Sequence, residues 1–154
     1  MMDRLKLKFP PAVQVLVFAV IIWQLGKIYP MGFIPLAENG LVAITLVLLG
    51  ALIVVFGGIA FRKAKTTVDP RYPANSTSLV ILGVYQYTRN PMYVGMLLSL
   101  TGLVIYFGKF SGFFVLPLFI WTMNEFQIKW EEKALLEKFG DSYSNYLKNV
   151  RRWL

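Results

Sequence analysis

The chain has 154 residues, 56% of them hydrophobic and 16% charged, with a net charge of +8 and a mean hydropathy of +0.56. Soluble domains carry about 25% charged residues, so this is not an ordinary soluble composition. Histidine and cysteine are absent, which excludes Ser-His-Asp and Cys-His nucleophiles, disulfides and any zinc site built on imidazole or thiolate. The eight Asp and Glu leave a carboxylate metal site open, but no metal is expected.

A membrane-crossing helix needs roughly 20 mainly apolar residues at about 1.5 Å each. Residues 11–29 carry no charge except Lys27 and read as a first span. Arg4, Lys6 and Lys8 precede it as in a signal peptide, but the apolar stretch is long and no small-x-small site follows, so the helix is expected to be retained. Residues 40–61, with Thr45 their only conventional polar side chain, predict a second span. The stretch 62–78 contains Pro70, Pro73 and a turn pattern at 66–70, and predicts an ordered loop. A third apolar run, 92–107, follows Pro91 directly. A fourth, 112–123, contains Pro117 and passes into Asn124-Glu125-Phe126-Gln127. Residues 129–139 alternate charged and apolar side chains at helical spacing, with Trp130, Leu135 and Phe139 available to face lipid or protein. Gly140-Asp141 then predicts a break before a second short helix over 142–150.

These features predict one all-α, polytopic membrane domain over 1–154, with about four transmembrane helices and C-terminal interfacial amphipathic helices. Within it, 1–61 forms an apolar hairpin and 62–154 carries the polar chemistry. Of the 16 basic residues, all but Lys27 and Lys109 precede the first span, lie between the second and third, or follow the fourth. The positive-inside rule then places both termini and the middle loop in the cytoplasm. This topology explains the charge without nucleic acid, and the same residues favour anionic headgroups of membrane lipids.

Three local features stand out. Asn90 followed by Pro91 makes a helix start, with Asn90 as N-cap beside Arg89. Such an end attracts a carboxylate or phosphate, or else Asn90 only caps and Tyr85, Tyr87 and Tyr93 form an interfacial belt. At about 100° per residue, Asn124, Gln127 and Glu131 fall on one helical face, with Glu125 and Glu132 a neighbouring pair. Those groups either reach the headgroups or line a pocket open to the cytosol. The last feature, Phe139-Gly140-Asp141-Ser142-Tyr143-Ser144-Asn145-Tyr146 with Val150-Arg151-Arg152-Trp153-Leu154, reads by itself as an interfacial anchor.

In order and spacing, Arg89-Asn90-Pro91-Met92-Tyr93-Val94-Gly95, Glu131-Glu132 and Phe139-Gly140-Asp141-Ser142-Tyr143-Ser144-Asn145-Tyr146 resemble the signature of the isoprenylcysteine carboxyl methyltransferase-like integral membrane enzymes. The resemblance covers about residues 66–153, a stretch over which phospholipid methyltransferases and the C-terminal part of some sterol reductases look similar. It implies S-adenosyl-L-methionine as methyl donor and a lipophilic or small acceptor. By position it implies a cofactor pocket lined by Thr77, Ser78, Leu79, Val80 and Tyr85. Arg89, Asn90, Pro91 and Tyr93 would meet the cofactor's amino-acid end, and Glu131 would bind it from the fourth span. Gln127 and Asn124 would face the acceptor.

Two residues depart from the family pattern. Asn90 stands where the family has histidine, and Gln127 stands where prenylcysteine methyltransferases have an arginine, so a neutral amide replaces a bidentate cation. The acceptor is therefore left open among an amine, a thiol, a hydroxyl and a different carboxylate on an apolar molecule. The rival readings are an NADPH-dependent membrane reductase, with Arg62, Lys63 and Lys65 serving a 2′-phosphate, and a non-enzymatic membrane scaffold.

Overall fold

The structure, a computed structural model, describes residues 10–35, 40–66 and 77–154. Most of the expected turn at 66–70, and Arg4, Lys6, Lys8 and Arg71, lie outside them. The described residues are all-helical: α1 (Pro11–Ile28), α2 (Gly40–Lys63), α3 (Pro91–Phe107), α4 (Val115–Met123) and α5 (Lys129–Asn149). Short 3-10 turns lie at Gly83–Gln86 and Phe110–Phe114, and a π-helical segment, Asn124–Ile128, joins α4 to α5.

Of the four expected apolar runs, α1 and α2 are single helices long and apolar enough to cross a membrane. Only 22% of α1 and 17% of an 18-residue apolar stretch of α2 is buried inside the protein, the reverse of a soluble core helix. Leu16, Leu48, Val55 and Phe56 instead point outward, more than half exposed. α3 has 17 residues and α4 only nine. The fourth run is shortened because Gly108 ends α3 in the left-handed region (φ 67°) and Phe110–Phe114 winds as 3-10 helix. α4 then starts at Val115, with Pro117 in its first turn, where a missing N–H costs no helical bond. Helical backbone continues from α4 through the π segment into α5, so the apolar run passes unbroken into the polar one. Gly140 (φ 49°, ψ −123°) kinks α5 where the break was expected.

A seam of small residues sets how closely α2 meets α3. Ala43, Gly50 and Gly57 recur every seven residues on α2 and are its buried positions. A Cβ on Gly95 of α3 would lie 2.5 Å from the Gly50 carbonyl oxygen, and one on Gly102 would lie 2.8 Å from that of Ala43. The backbones therefore touch, as in small-xxx-small packing between membrane helices. On the other side of α3, Leu100 and Val104 join Phe18 and Ile22 of α1 and Val115, Phe119 and Met123 of α4 in the core. The Phe18 and Phe119 rings meet edge to face at 5.3 Å.

The two ends of this bundle differ. At one, the Ile34 N–H donates to the Gly108 carbonyl at 2.9 Å, Lys27 lies 3.7 Å over the Trp23 ring, and Lys109 lies against Gly26. At the other, the Arg62–Lys63 end of α2, the Gly83–Gln86 turn and the start of α3 come together, and most of the polar chemistry gathers there.

Candidate functional site

The centre of this end is a buried carboxylate. Tyr93, on the first turn of α3, donates its hydroxyl to Glu131 Oε1 at 2.5 Å. Gln127, one turn before Glu131 and fully buried, donates its Nε2 to the same oxygen at 2.5 Å. Among the described residues Glu131 Oε2 accepts no hydrogen bond, so one oxygen of a strongly positioned carboxylate remains for a further donor. Burial pushes the Glu131 carboxyl up to about 7, the Gln127 and Tyr93 bonds oppose that rise, and the charge of Glu132 adds to it. The sequence places Tyr93, Gln127 and Glu131 in one site, and the structure brings the three together.

Tyr85 flanks this cluster. The Gly83–Gln86 turn buries Tyr85, whose carbonyl accepts the Tyr146 hydroxyl at 2.6 Å and whose ring meets Phe61 of α2 edge to face at 5.4 Å. Burial raises its phenol above the ordinary range, with the charges of Tyr146 and Glu131 adding to the rise. The neighbouring residue Val84 lines a cavity of about 440 Å³ together with Phe56, Ile59 and Lys63 of α2 and Leu79 and Val80. Leu79 and Val80 thus face an apolar cavity. Thr77 and Ser78 do not line it. The Thr77 N–H donates to Thr66 Oγ1 at 2.8 Å and Ser78 Oγ donates to the Ala64 carbonyl at 2.8 Å, closing the end of α2.

The residues before α3 behave differently from expectation. Pro91 occupies the first helical position, but Asn90 makes no side-chain cap. Its Nδ2 instead donates to the Arg152 carbonyl at 2.8 Å, because the 150–153 segment packs against the helix start and offers an acceptor there. The expected side-chain cap is therefore corrected to a tertiary contact. Arg89 is likewise engaged: Nη1 donates to the Leu147 and Val150 carbonyls, both at 2.9 Å, and Nη2 lies 3.0 Å from Glu132 Oε1. A guanidinium here satisfies carbonyls that the end of α5 leaves orphaned and opposes the negative pole of its dipole.

Asn124 Oδ1 accepts the Trp153 indole N–H at 3.1 Å. The wider π turn separates Glu125 from Glu132: Glu125 pairs with exposed Lys129, whereas Glu132 takes both Arg89 and Arg152. Residues 150–153 are thus docked onto the protein, with Trp153 packed against the core. Glu132, Arg152, Trp153 and Thr88 are polar contacts of the site that sequence reasoning did not assign to it. The Glu131-Glu132 pair was visible, but its arginine partners lie 20 and 43 residues away.

The sequence profile of the phospholipid methyltransferase family matches residues 39–142. A Haemophilus influenzae protein described as uncharacterized is 41% identical over 63 residues, which are 41% of this chain and 100% of that protein. The protein-S-isoprenylcysteine O-methyltransferase of Schizosaccharomyces pombe is 38% identical over 72 residues, 47% of this chain and 30% of the relative. That of Dictyostelium discoideum is 32% identical over 111 residues, 66% of this chain and 46% of the relative. The chain therefore spans less than half the length of these two methyltransferases. No solved structure matches.

Proposed function

Because the chain belongs to the phospholipid methyltransferase family, we propose that it is an integral membrane methyltransferase that uses S-adenosyl-L-methionine and acts on a lipophilic or small acceptor at the membrane–cytosol boundary. The observation that carries this reading is the buried Glu131 carboxylate, held through Oε1 by Tyr93 and Gln127, with no hydrogen bond to Oε2 among the described residues.

The residues present fit that cofactor. It offers an ammonium and ribose hydroxyls, which suit a carboxylate acceptor in low dielectric. The tyrosine rings of Tyr85 and Tyr93 lie beside Glu131 and can face a sulfonium. Leu79 and Val80 line an apolar cavity within the roughly 300–1,000 Å³ range of small-molecule sites. When bound, the cofactor supplies a methyl group activated on a sulfonium sulfur. The chain's part is then to bind, orient and exclude water. Glu131 fixes the cation end, Tyr93 and Gln127 hold Glu131 in place, and the apolar walls keep water from the reacting centre. Such a displacement needs positioning more than a protein base, in keeping with a chain that has no histidine.

The acceptor is where this chain departs from its prenylcysteine-modifying relatives. Gln127 is buried and committed to Glu131, so it brings no positive charge to an acceptor carboxylate. An arginine at 127 would instead pair with Glu131 and compete with the cofactor's cation. We therefore assign an acceptor whose polar end is not an unpaired carboxylate. It would be drawn from amines, thiols, hydroxyls or a carboxylate neutralised elsewhere, and carried on an apolar body.

The test is a ligand-dependent melting shift in detergent followed by labelled-methyl transfer to native membrane lipids. S-adenosylhomocysteine is expected to raise the melting temperature and NADPH to leave it unchanged, with label appearing in a lipid-soluble product. A shift with NADPH alone would overturn the methyltransferase assignment in favour of a reductase.

A further inference from the structure

After α5 the chain leaves helical geometry at Val150 and runs back past the start of α3. The Arg89 N–H donates to the Arg151 carbonyl at 2.9 Å, and the Arg152 carbonyl accepts both Thr88 Oγ1 at 3.2 Å and Asn90 Nδ2 at 2.8 Å. The Arg152 side chain grips Glu132 through both oxygens, Nε on Oε1 at 3.0 Å and Nη2 on Oε2 at 2.5 Å. The Trp153 indole N–H reaches Asn124 Oδ1 at 3.1 Å. No hydrogen bond links these tail side chains to Glu131. They hold Asn124 and Glu132, which bracket Gln127 and Glu131 on one helix, and they hold Thr88–Asn90, which lead into the turn bearing Tyr93.

Resting on the cofactor reading above, we propose that the 150–153 segment is a built-in part of the cofactor site, with Arg152 and Trp153 as positioning residues that set the place and charge of Glu131 for a cationic adenosyl ligand. The geometry explains why such a tie is needed. Gln127 lies in a π-helical turn, whose extra residue makes its register easier to shift than that of an α-helix. Trp153 pins the turn at its first residue and Arg152 pins the helix just past Glu131. The same segment fastens that helix to α3, so the bond from Tyr93 to Glu131 joins two pieces of chain whose separation the segment fixes.

Charge enters the same way. Tyr93 on α3, Tyr85 on the 3-10 turn, Tyr143 on α5 and Glu132 beside it surround Glu131, and the charge of Glu132 opposes ionisation of the Glu131 carboxyl. Arg152 and Arg89 neutralise Glu132. Without Arg152, Glu132 would repel the ionised form of its neighbour more strongly.

The experiment measures S-adenosylhomocysteine affinity from about pH 6 to about pH 9, with ligand-free melting, for the full chain in nanodiscs. Wild type is compared with Arg152→Gln, Arg152→Lys and Trp153→Phe. Arg152→Gln is expected to weaken binding about tenfold near neutral pH and to move the pH at which binding rises upward by about half a unit or more. Arg152→Lys should restore the wild-type pH profile with partial affinity. Trp153→Phe, which keeps the packing and loses the N–H, should weaken affinity without moving the profile. Should Arg152→Gln fail to fold, Arg152→Lys and Trp153→Phe still carry the test. Variants that bind as wild type, or that lose affinity only in step with melting temperature at an unchanged pH profile, would overturn the positioning role alone. A wild type that does not bind S-adenosylhomocysteine would overturn the cofactor reading and this proposal with it.

Discussion

At the scale of single residues, Glu131 and Glu137 are six positions apart and differ in everything that matters for binding. Glu131 is held by two donors, whereas Glu137 is exposed and faces Lys133 at 3.9 Å across one turn. Glu131→Gln is expected to weaken S-adenosylhomocysteine binding by roughly 1.5–3 kcal/mol, the range of a hydrogen bond to a charged group. Glu137→Gln should leave binding nearly unchanged, because exposed pairs of this kind contribute little. Calorimetric titration of both variants decides it, and equal affinities would remove Glu131 from the site.

The Glu131 carboxyl also predicts a pH dependence. Its value lies above the ordinary 4.5, at about 7, so the folded protein holds this proton more tightly than the unfolded chain. The stability it contributes to the ligand-free protein is complete below about 4.5 and is lost as pH rises through about 7. Cofactor binding runs the other way, since a cation prefers the ionised carboxylate. Affinity measured across that interval should therefore rise with pH, and Glu131→Gln should flatten the rise. A wild-type affinity that falls over the same interval would contradict the assignment.

At the scale of elements, the seam between α2 and α3 is set by where side chains are missing. Gly50 and Gly95 face each other so closely that a Cβ on either would strike the other's backbone, whereas a Cβ on Gly58 would meet nothing within 4 Å. Gly95→Val is expected to force the helices apart, lower the melting temperature by the equivalent of at least about 2 kcal/mol, and displace Tyr93 two residues earlier. Gly58→Ala should be neutral or stabilise by up to about 1 kcal/mol, because a helical alanine costs less backbone entropy. Thermal melts of the two variants in one detergent check this, and similar losses from both would mean the seam is not specific.

At the scale of the whole molecule, the ends of the helices sort the basic residues. Lys27 and Lys109 share one end of the bundle, while Arg62, Lys63, Arg89 and Arg152 belong to the other. We expect four crossings, with the fourth made by α4 continuing into the π segment, and both chain ends on the side of Glu131. Since α3 at 17 residues spans only about 25 Å, local thinning of the bilayer or flanking aromatic residues must absorb the difference. Reporter fusions at the N-terminus, at Lys109 and at the C-terminus test this arrangement. An exported C-terminus would put the Glu131 site on the side without cofactor.

Much of this molecule was legible without coordinates, for reasons that are local. Apolar run length, Pro91 at a helix start and Gly140 at a kink are each written in a few consecutive residues, because they depend on hydration and backbone torsion. That Gln127 and Glu131 share a face follows from one turn of helix, but the bond that spends the Gln127 amide on Glu131 was not read from the sequence, which turned that side chain toward an acceptor. What only the tertiary structure decided involves partners far apart in the chain. Asn90 looks like a cap, and spends its amide on the Arg152 carbonyl because residue 152 has been brought back to it. Arg89 looks like an anion ligand, and is drawn to Glu132 and the end of α5. Side-chain spacing along one helix can propose a face, but it carries no information on which distant carbonyl or carboxylate fills that face once the chain has closed. Burial then raises the cost of any unpaired group, so those distant partners determine which polar side chains remain open to a ligand.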